Sequence, residues 1–267
     1  MAFLRSRHYR EPLILRPLPE RQRSRTAGWS LRLAIFAPLL AIVSIAAHRT
    51  GYVDTPTFLV LVMCVAAIAL AGLGLILVAL SSLWAKGTKG GRQVIWALFF
   101  SILTLAPFVA ATAAWIVFPD QNDVSTDLVD PPLLAKEVQL TRADPKAVVA
   151  GHLRDGYASL TGRRYKAPPD AIEETIQKVA EAQGWKLVSR RGRLGADDEL
   201  FFEFSYLVPV LGIPGSVILR LTDEGDTSFV DMRARTDFVS NDLGWNAHLI
   251  ETYFKALDFE LIGIVEA

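Results

Sequence analysis

Hydrophobic positions fall along this chain in two regimes. In the first 118 residues they run together: no Asp, Glu, Lys or Arg lies between Thr55 and Ala85, and none between Gln93 and Pro119. Each run exceeds the roughly 20 residues that carry a helix across about 30 Å of hydrocarbon. A shorter run, Leu33 to Ala47, reaches spanning length when Trp29 and Arg32 at one end and His48 and Tyr52 at the other sit in the interfaces. The pattern predicts three transmembrane helices, at about 29–50, 57–84 and 93–118.

Beyond Phe118 the apolar positions are periodic instead. Ile172, Ile176 and Val179 share one face of a helix that Asp170 can cap, with Glu173 reaching back, and that Gly184 can end. Strand-like runs follow at Trp185 to Ser189, Glu199 to Leu207, Ser216 to Thr222 and Ser228 to Thr236. In the second of these Leu200, Phe202, Phe204 and Tyr206 fall on one face. A second helix, about Leu243 to Leu257, carries the stripe Leu243, Ala247, Ile250, Phe254 and Leu257, and the apolar run Phe259 to Val265 suggests an edge strand. Short connections favour an antiparallel meander. The expected fold class is therefore α+β: a three-helix transmembrane anchor, then a domain at 119–267 whose antiparallel sheet of four to five strands is covered by two helices.

Composition agrees with a membrane protein, at 51% hydrophobic residues and a mean hydropathy of +0.30. The formal charge of zero conceals an asymmetry. Residues 1–118 hold 12 Lys and Arg against 3 Asp and Glu, and residues 119–267 hold 16 against 25. Positive residues crowd the N-terminal tail and recur at Lys86, Lys89 and Arg92 between the second and third spans, whereas the first interhelical loop has only Arg49. The positive-inside rule then puts the tail in the cytoplasm and, after three crossings, the domain at 119–267 outside it. In a bacterium this is an inner-membrane protein with a periplasmic domain.

The Arg- and Pro-rich residues 1–28 read as a disordered basic tail that sets topology and touches anionic lipid, not as a nucleic-acid binder. A charged leader that long argues for a retained span and not a cleaved signal. The one cysteine, Cys64, falls within the second span, so the domain has no disulfide and must fold on its core alone. Absence of ionisable groups from spans two and three argues against an ion pathway.

Three blocks carry a resemblance. VSTDLVDPPLL, KAPPDAIEETIQKVAEAQGW and VDMRARTDFVSNDLGWNAHLIETYF together resemble the bacterial family called domain of unknown function 1499, over most of residues 124 to 257. Its final block has the form Val-Asp-x-Arg-Ser-x-Ser-Arg, then Asp-x-Gly-x-Asn and Arg-Ile, which places Asp231, Arg233, Asp242, Gly244 and Asn246 on the pattern. The chain departs from it at Ala234, where serine is usual, at Asp237, where arginine is usual, and at His248-Leu249. The resemblance implies a membrane-anchored α+β domain and no particular reaction.

The candidate chemistry lies in that block. Asp231, Arg233 and Arg235 alternate along a strand and so share one face. They can fasten a helix to the sheet, with Asn246 on the helix side and Asp242 or Asn241 capping the helix, or Arg233 and Arg235 can seat an anion. A third reading makes Asp231, Arg233 and Asp237 an active site for a small anionic or glycan envelope substrate. Enzyme signatures are otherwise missing: there is no nucleophile elbow, zinc-binding helix motif or phosphate loop. His8, His48, His152 and His248 are scattered, and Ser240, Asp242 and His248 look like a helix cap. No catalytic residue, metal or cofactor is expected. The expected role is a non-catalytic envelope module, with lipid bilayer, small anionic ligand or protein partner as its counterpart. FFEFSY and LVPVLGIPG are then core, or the wall or mouth of a ligand site.

Overall fold

The structure, a computed structural model, describes residues 22–143, 157, 159–193 and 195–265. Most of the basic tail and His8 and His152 lie outside the described residues. Three long helices come first, α1 (Arg25–Arg49), α2 (Thr55–Lys86) and α3 (Gly91–Val117), each long and apolar enough to cross a membrane. α1 starts before residue 29 because Ser24 caps it, its Oγ accepting from the backbone N–H of Ala27 at 3.3 Å. Residues 25–28, assigned to the tail by composition, are therefore helical.

The helices pack through small residues, Ala27, Ala34, Ala79 and Ala97 among them. Large apolar side chains such as Ile42, Met63, Leu77, Ile102 and Val109 point outward, as in a bundle surrounded by lipid. Backbone bonds between Ser24 and Lys89 close one end of the bundle. His48, stacked on Phe58, and the C-terminus of α3 mark the other.

The α+β part adds β1 (Asp123–Ser125), α4 (Ala135–Ala143), β2 (Arg163–Tyr165), α5 (Pro169–Ala182), β3 (Lys186–Arg191), β4 (Glu199–Leu207), β5 (Pro214–Asp223), β6 (Ser228–Thr236) and α6 (Trp245–Val265). The sheet is antiparallel throughout, in the order β1-β6-β5-β4-β3, with β2 also on the β6 edge. Six strands replace the four or five expected, because two three-residue strands are too short to leave a periodic signal.

α5 and α6 cover one sheet face. Ile172, Ile176, Ile250, Tyr253 and Phe254 meet Leu200, Phe202, Leu219 and Met232 there, all buried. Each such side chain contributes roughly 1.5–3 kcal/mol on burial. The run Phe259 to Val265 is not an edge strand. It continues α6, and Leu261 extends the stripe of Phe254 and Leu257 into the core. Nor does Asp170 cap α5: Pro168 is the cap residue and Pro169 supplies a first-turn position that needs no N–H. Glu173 instead takes a two-pronged bond from Arg190 of β3.

Candidate functional site

In β6 the strand period puts Val230, Met232, Ala234 and Thr236 into the α5/α6 core and Asp231, Arg233 and Arg235 on the opposite face. That opposite face is covered by the chain between α3 and α4. The Arg233 guanidinium grips Asp123 of β1 with Nε and Nη2 at 2.8 and 2.7 Å, and Glu137 of α4 with Nη1 and Nη2 at 2.8 and 3.1 Å. Nη1 also donates to the Pro132 carbonyl at 3.1 Å, so all five guanidinium N–H groups are used. Arg233 is 7% exposed.

Asp231 faces a different arginine. Its Oδ2 accepts from Nη2 of Arg220, its neighbour across β5, at 2.9 Å, and its Oδ1 from Thr126 at 3.2 Å. Arg220 also donates to Asp127 at 2.8 Å and Asp130 at 2.9 Å. Burial works against both guanidinium charges, but the hydrogen bonds and charges of Asp231 on Arg220, and of Asp123 and Glu137 on Arg233, outweigh it and raise both pKa values. Both remain cations held by carboxylates.

Asn246 belongs to a third network, on the other side of the sheet. Its Oδ1 accepts from the Tyr206 hydroxyl at 2.6 Å and from Thr236 at 3.2 Å, and its Nδ2 donates to the Asn122 carbonyl at 2.9 Å. Asp242 caps α6, accepting from the backbone N–H groups of Gly244 at 3.0 Å and Asn246 at 2.6 Å. Burial pushes its carboxyl above the ordinary range, against those bonds. Gly244 stands at φ +81°, and a Cβ there would lie 2.7 Å from the Phe118 ring, so only glycine lets α6 start against the residue that ends α3.

Phe118 also walls a cavity of about 590 Å³ at the end of the α+β part nearest the bundle. Val208, Leu211, Ile213 and Val239 supply further apolar wall, while Asp242 and Tyr157 bring polar atoms. The Tyr157 hydroxyl is buried and has no hydrogen-bond partner among the described residues, and burial and the Asp242 charge push its pKa up. Beside the cavity, Val210 (φ +66°), Phe238 (φ +65°) and Leu243 (φ +57°) hold a left-handed conformation that costs non-glycine residues about 1–3 kcal/mol. Val210 and Phe238 are nevertheless 67% and 60% exposed. Strained backbone here presents large apolar side chains to the surroundings.

The spacing Asp242, Gly244, Asn246 is thus a cap, a close approach and a knot, and the family described as "Protein of unknown function (DUF1499)" matches residues 123–257, half of the chain. The chain belongs to the DUF1499 family. No curated protein matches it. A solved structure, the vertebrate conserved region (VCR) of human METTL16, aligns over 47% of this chain and 93% of that one, at 13% identity and a TM-score of 0.24, a score too low to make the folds alike.

In this DUF1499 protein, then, Asp231 and Arg233 each have partners on neighbouring segments and do not meet Asn246, whereas Asp242, Gly244 and Asn246 act together at the start of α6. Ala234, where the family pattern has serine, faces the apolar core and suits it. Asp237 continues the sheet by a backbone bond to Pro214. Sequence reasoning missed Arg220, whose signal is a lone arginine in the apolar run SVILRLT, and Asp123, Asp127, Asp130 and Glu137, whose partners lie about 90 residues or more along the chain. Among the described residues Arg235 pairs only with Glu137, at 3.6 Å, and its side chain is 43% exposed. Replacing it with alanine should therefore move stability by less than about 1 kcal/mol, as a urea titration followed by tryptophan fluorescence would read.

Proposed function

We propose that this protein is an inner-membrane lipid-binding module, with the N-terminal tail in the cytoplasm, an exported α+β domain in the periplasm and no catalytic role. The positive residues near Ser24 and Lys89 at one end of the bundle, and the single Arg49 at the other, support that orientation. The α+β domain then sits on the outer surface of the membrane, with the loops at 208–213 and 237–244 toward the lipid.

One observation carries the reading: an apolar cavity of about 590 Å³ opens where α3 ends, with Phe118 as part of its wall. A membrane lipid is the apolar molecule most abundant at that place, and the volume lies within the roughly 300–1,000 Å³ range of ligand sites. Each methylene taken up contributes about 0.8 kcal/mol. The Tyr157 hydroxyl offers a donor to an ester carbonyl at the polar side of the cavity. Exposed Val210, Phe238 and Leu243 seat the cavity mouth in the interfacial layer.

The test is lipid that stays with the full chain. Wild-type protein extracted in a mild detergent should carry phospholipid through purification, read by mass spectrometry of an organic extract. Leu211→Glu puts a charge into the wall from a partly exposed loop position. It should strip at least about tenfold of that lipid and leave the thermal midpoint unchanged. Equal lipid on both proteins would overturn the reading.

A further inference from the structure

A second cavity, of about 560 Å³, adjoins the first, and Trp245 and His248 line both. Its chemistry is opposite. Arg49, the last residue of α1, and Lys186, the first of β3, line it, and no Asp or Glu is among its lining residues. That is a strong bias in a region with 25 carboxylates against 16 Lys and Arg.

Neither cation is spent elsewhere. Among the described residues, Arg49 makes one long bond, from Nη1 to the Val210 carbonyl at 3.5 Å, and neither it nor Lys186 has a carboxylate partner. Compare Arg220 and Arg233, each closed by two or more acids. The backbone at Gly212 lies so close over α1 that a Cβ would be 3.2 Å from Cγ of Arg49, so the loop that walls the apolar cavity also holds the stem of the cation. An apolar chamber and a cationic chamber thus share one partition, beside the point where two spanning helices end.

We infer that the cationic cavity seats the phosphate of a bilayer phospholipid whose acyl chain enters the apolar one, an inference that rests on the lipid-binding reading above. Arg49 supplies a planar fork for the phosphate oxygens and Lys186 a point charge. Trp185 and Trp245 give the glycerol region amphipathic walls, as aromatic residues do at membrane interfaces. Selection then falls on the phosphate, whereas diacylglycerol with the same chains meets only the apolar half.

The test uses the full chain, freed of endogenous lipid in detergent and examined by native mass spectrometry with three probes: dioleoyl phosphatidylglycerol, dioleoylglycerol and inorganic phosphate. Wild type should retain phosphatidylglycerol about tenfold over dioleoylglycerol, the effect of losing one or two charge-assisted bonds. Arg49→Gln with Lys186→Gln should abolish that preference while dioleoylglycerol retention persists, and the charge-preserving pair Arg49→Lys with Lys186→Arg should restore it. An undiminished preference in the Gln pair, with dioleoylglycerol still bound, overturns the headgroup seat and leaves the apolar site standing. Retention of inorganic phosphate alone, undisturbed by phosphatidylglycerol, overturns it in favour of a soluble anion. Failure of wild type to retain either lipid removes the lipid reading itself, and with it the seat.

Discussion

Replacing Arg233 with alanine should lower the thermal midpoint of the α+β domain by roughly 10 °C, from a loss of about 3–5 kcal/mol at about 2–4 °C per kcal/mol. The size of the effect comes from what stays behind. Asp123 and Glu137 are themselves shielded, and without the guanidinium the two carboxylates lose the cation that lies between them. Glu137 also receives the Leu134 N–H, so the start of α4 loosens with it. Arg233→Lys should recover only part of the loss, since an ammonium cannot hold two carboxylates in parallel forks. Scanning calorimetry or intrinsic fluorescence on the full chain reads the midpoint, and an alanine variant that melts with wild type would show that the ion pairs are not what holds β1 and α4 to the sheet.

The second large effect is expected from Asn246→Leu. The side chain is fully buried, and its replacement, similar in size, leaves the Tyr206 and Thr236 hydroxyls to find other partners and the Asn122 carbonyl with the Thr236 N–H in place of two donors. Each buried group left unsatisfied costs about 1–3 kcal/mol, so a loss of about 3–5 kcal/mol follows if Tyr206 and Thr236 bond only each other. Asn246→Asp keeps the acceptor but turns an oxygen on the Asn122 carbonyl and brings a second buried carboxyl near Asp242, so its loss should be at least as large. Hydrogen exchange separates this from a general weakening: amides at the beginning of α6 and in residues 120–122 should exchange faster than those of β4 and β5. Uniform acceleration across the sheet would contradict a local knot.

Much of this was legible in the residues because it depends on local period. Runs without charge gave the three long helices, and alternation gave β3 to β6 and the split of β6 into a core row and a charged row. What escaped was set by distant partners. Nothing local distinguishes Asp123 from Asp120, and only the register of β1 against β6 opposes Ser125 to Arg233 and brings Asp123 within reach of it. A run such as Phe259 to Val265, apolar on several sides, fits strand and helix equally, and the core beneath α6 decided for helix. The walls of the apolar cavity come from four separate segments, so no motif could announce them. Asp242 was legible as a cap because a cap is local, whereas Gly244 stood out only through the family pattern and Asn246, expected to tie to Asp231 and Arg233, bonds Tyr206, Thr236 and Asn122 from distant segments.

The placement of the counter-ions also dictates an order of events. Asp123, Asp127, Asp130 and Glu137 follow directly on the last spanning helix, whereas Arg220 and Arg233 come 90 to 110 residues later in the bonds that join them. A chain made from its N-terminus therefore presents the acids first, well hydrated and unable to condense with one another. The last two strands in chain order bring the arginines late, Arg220 on β5 and Arg233 on β6, and loop closure over such distances is slow. Until β5 and β6 arrive, the acidic lead lacks its two arginine partners, and the strands that complete the sheet are also the ones that discharge it.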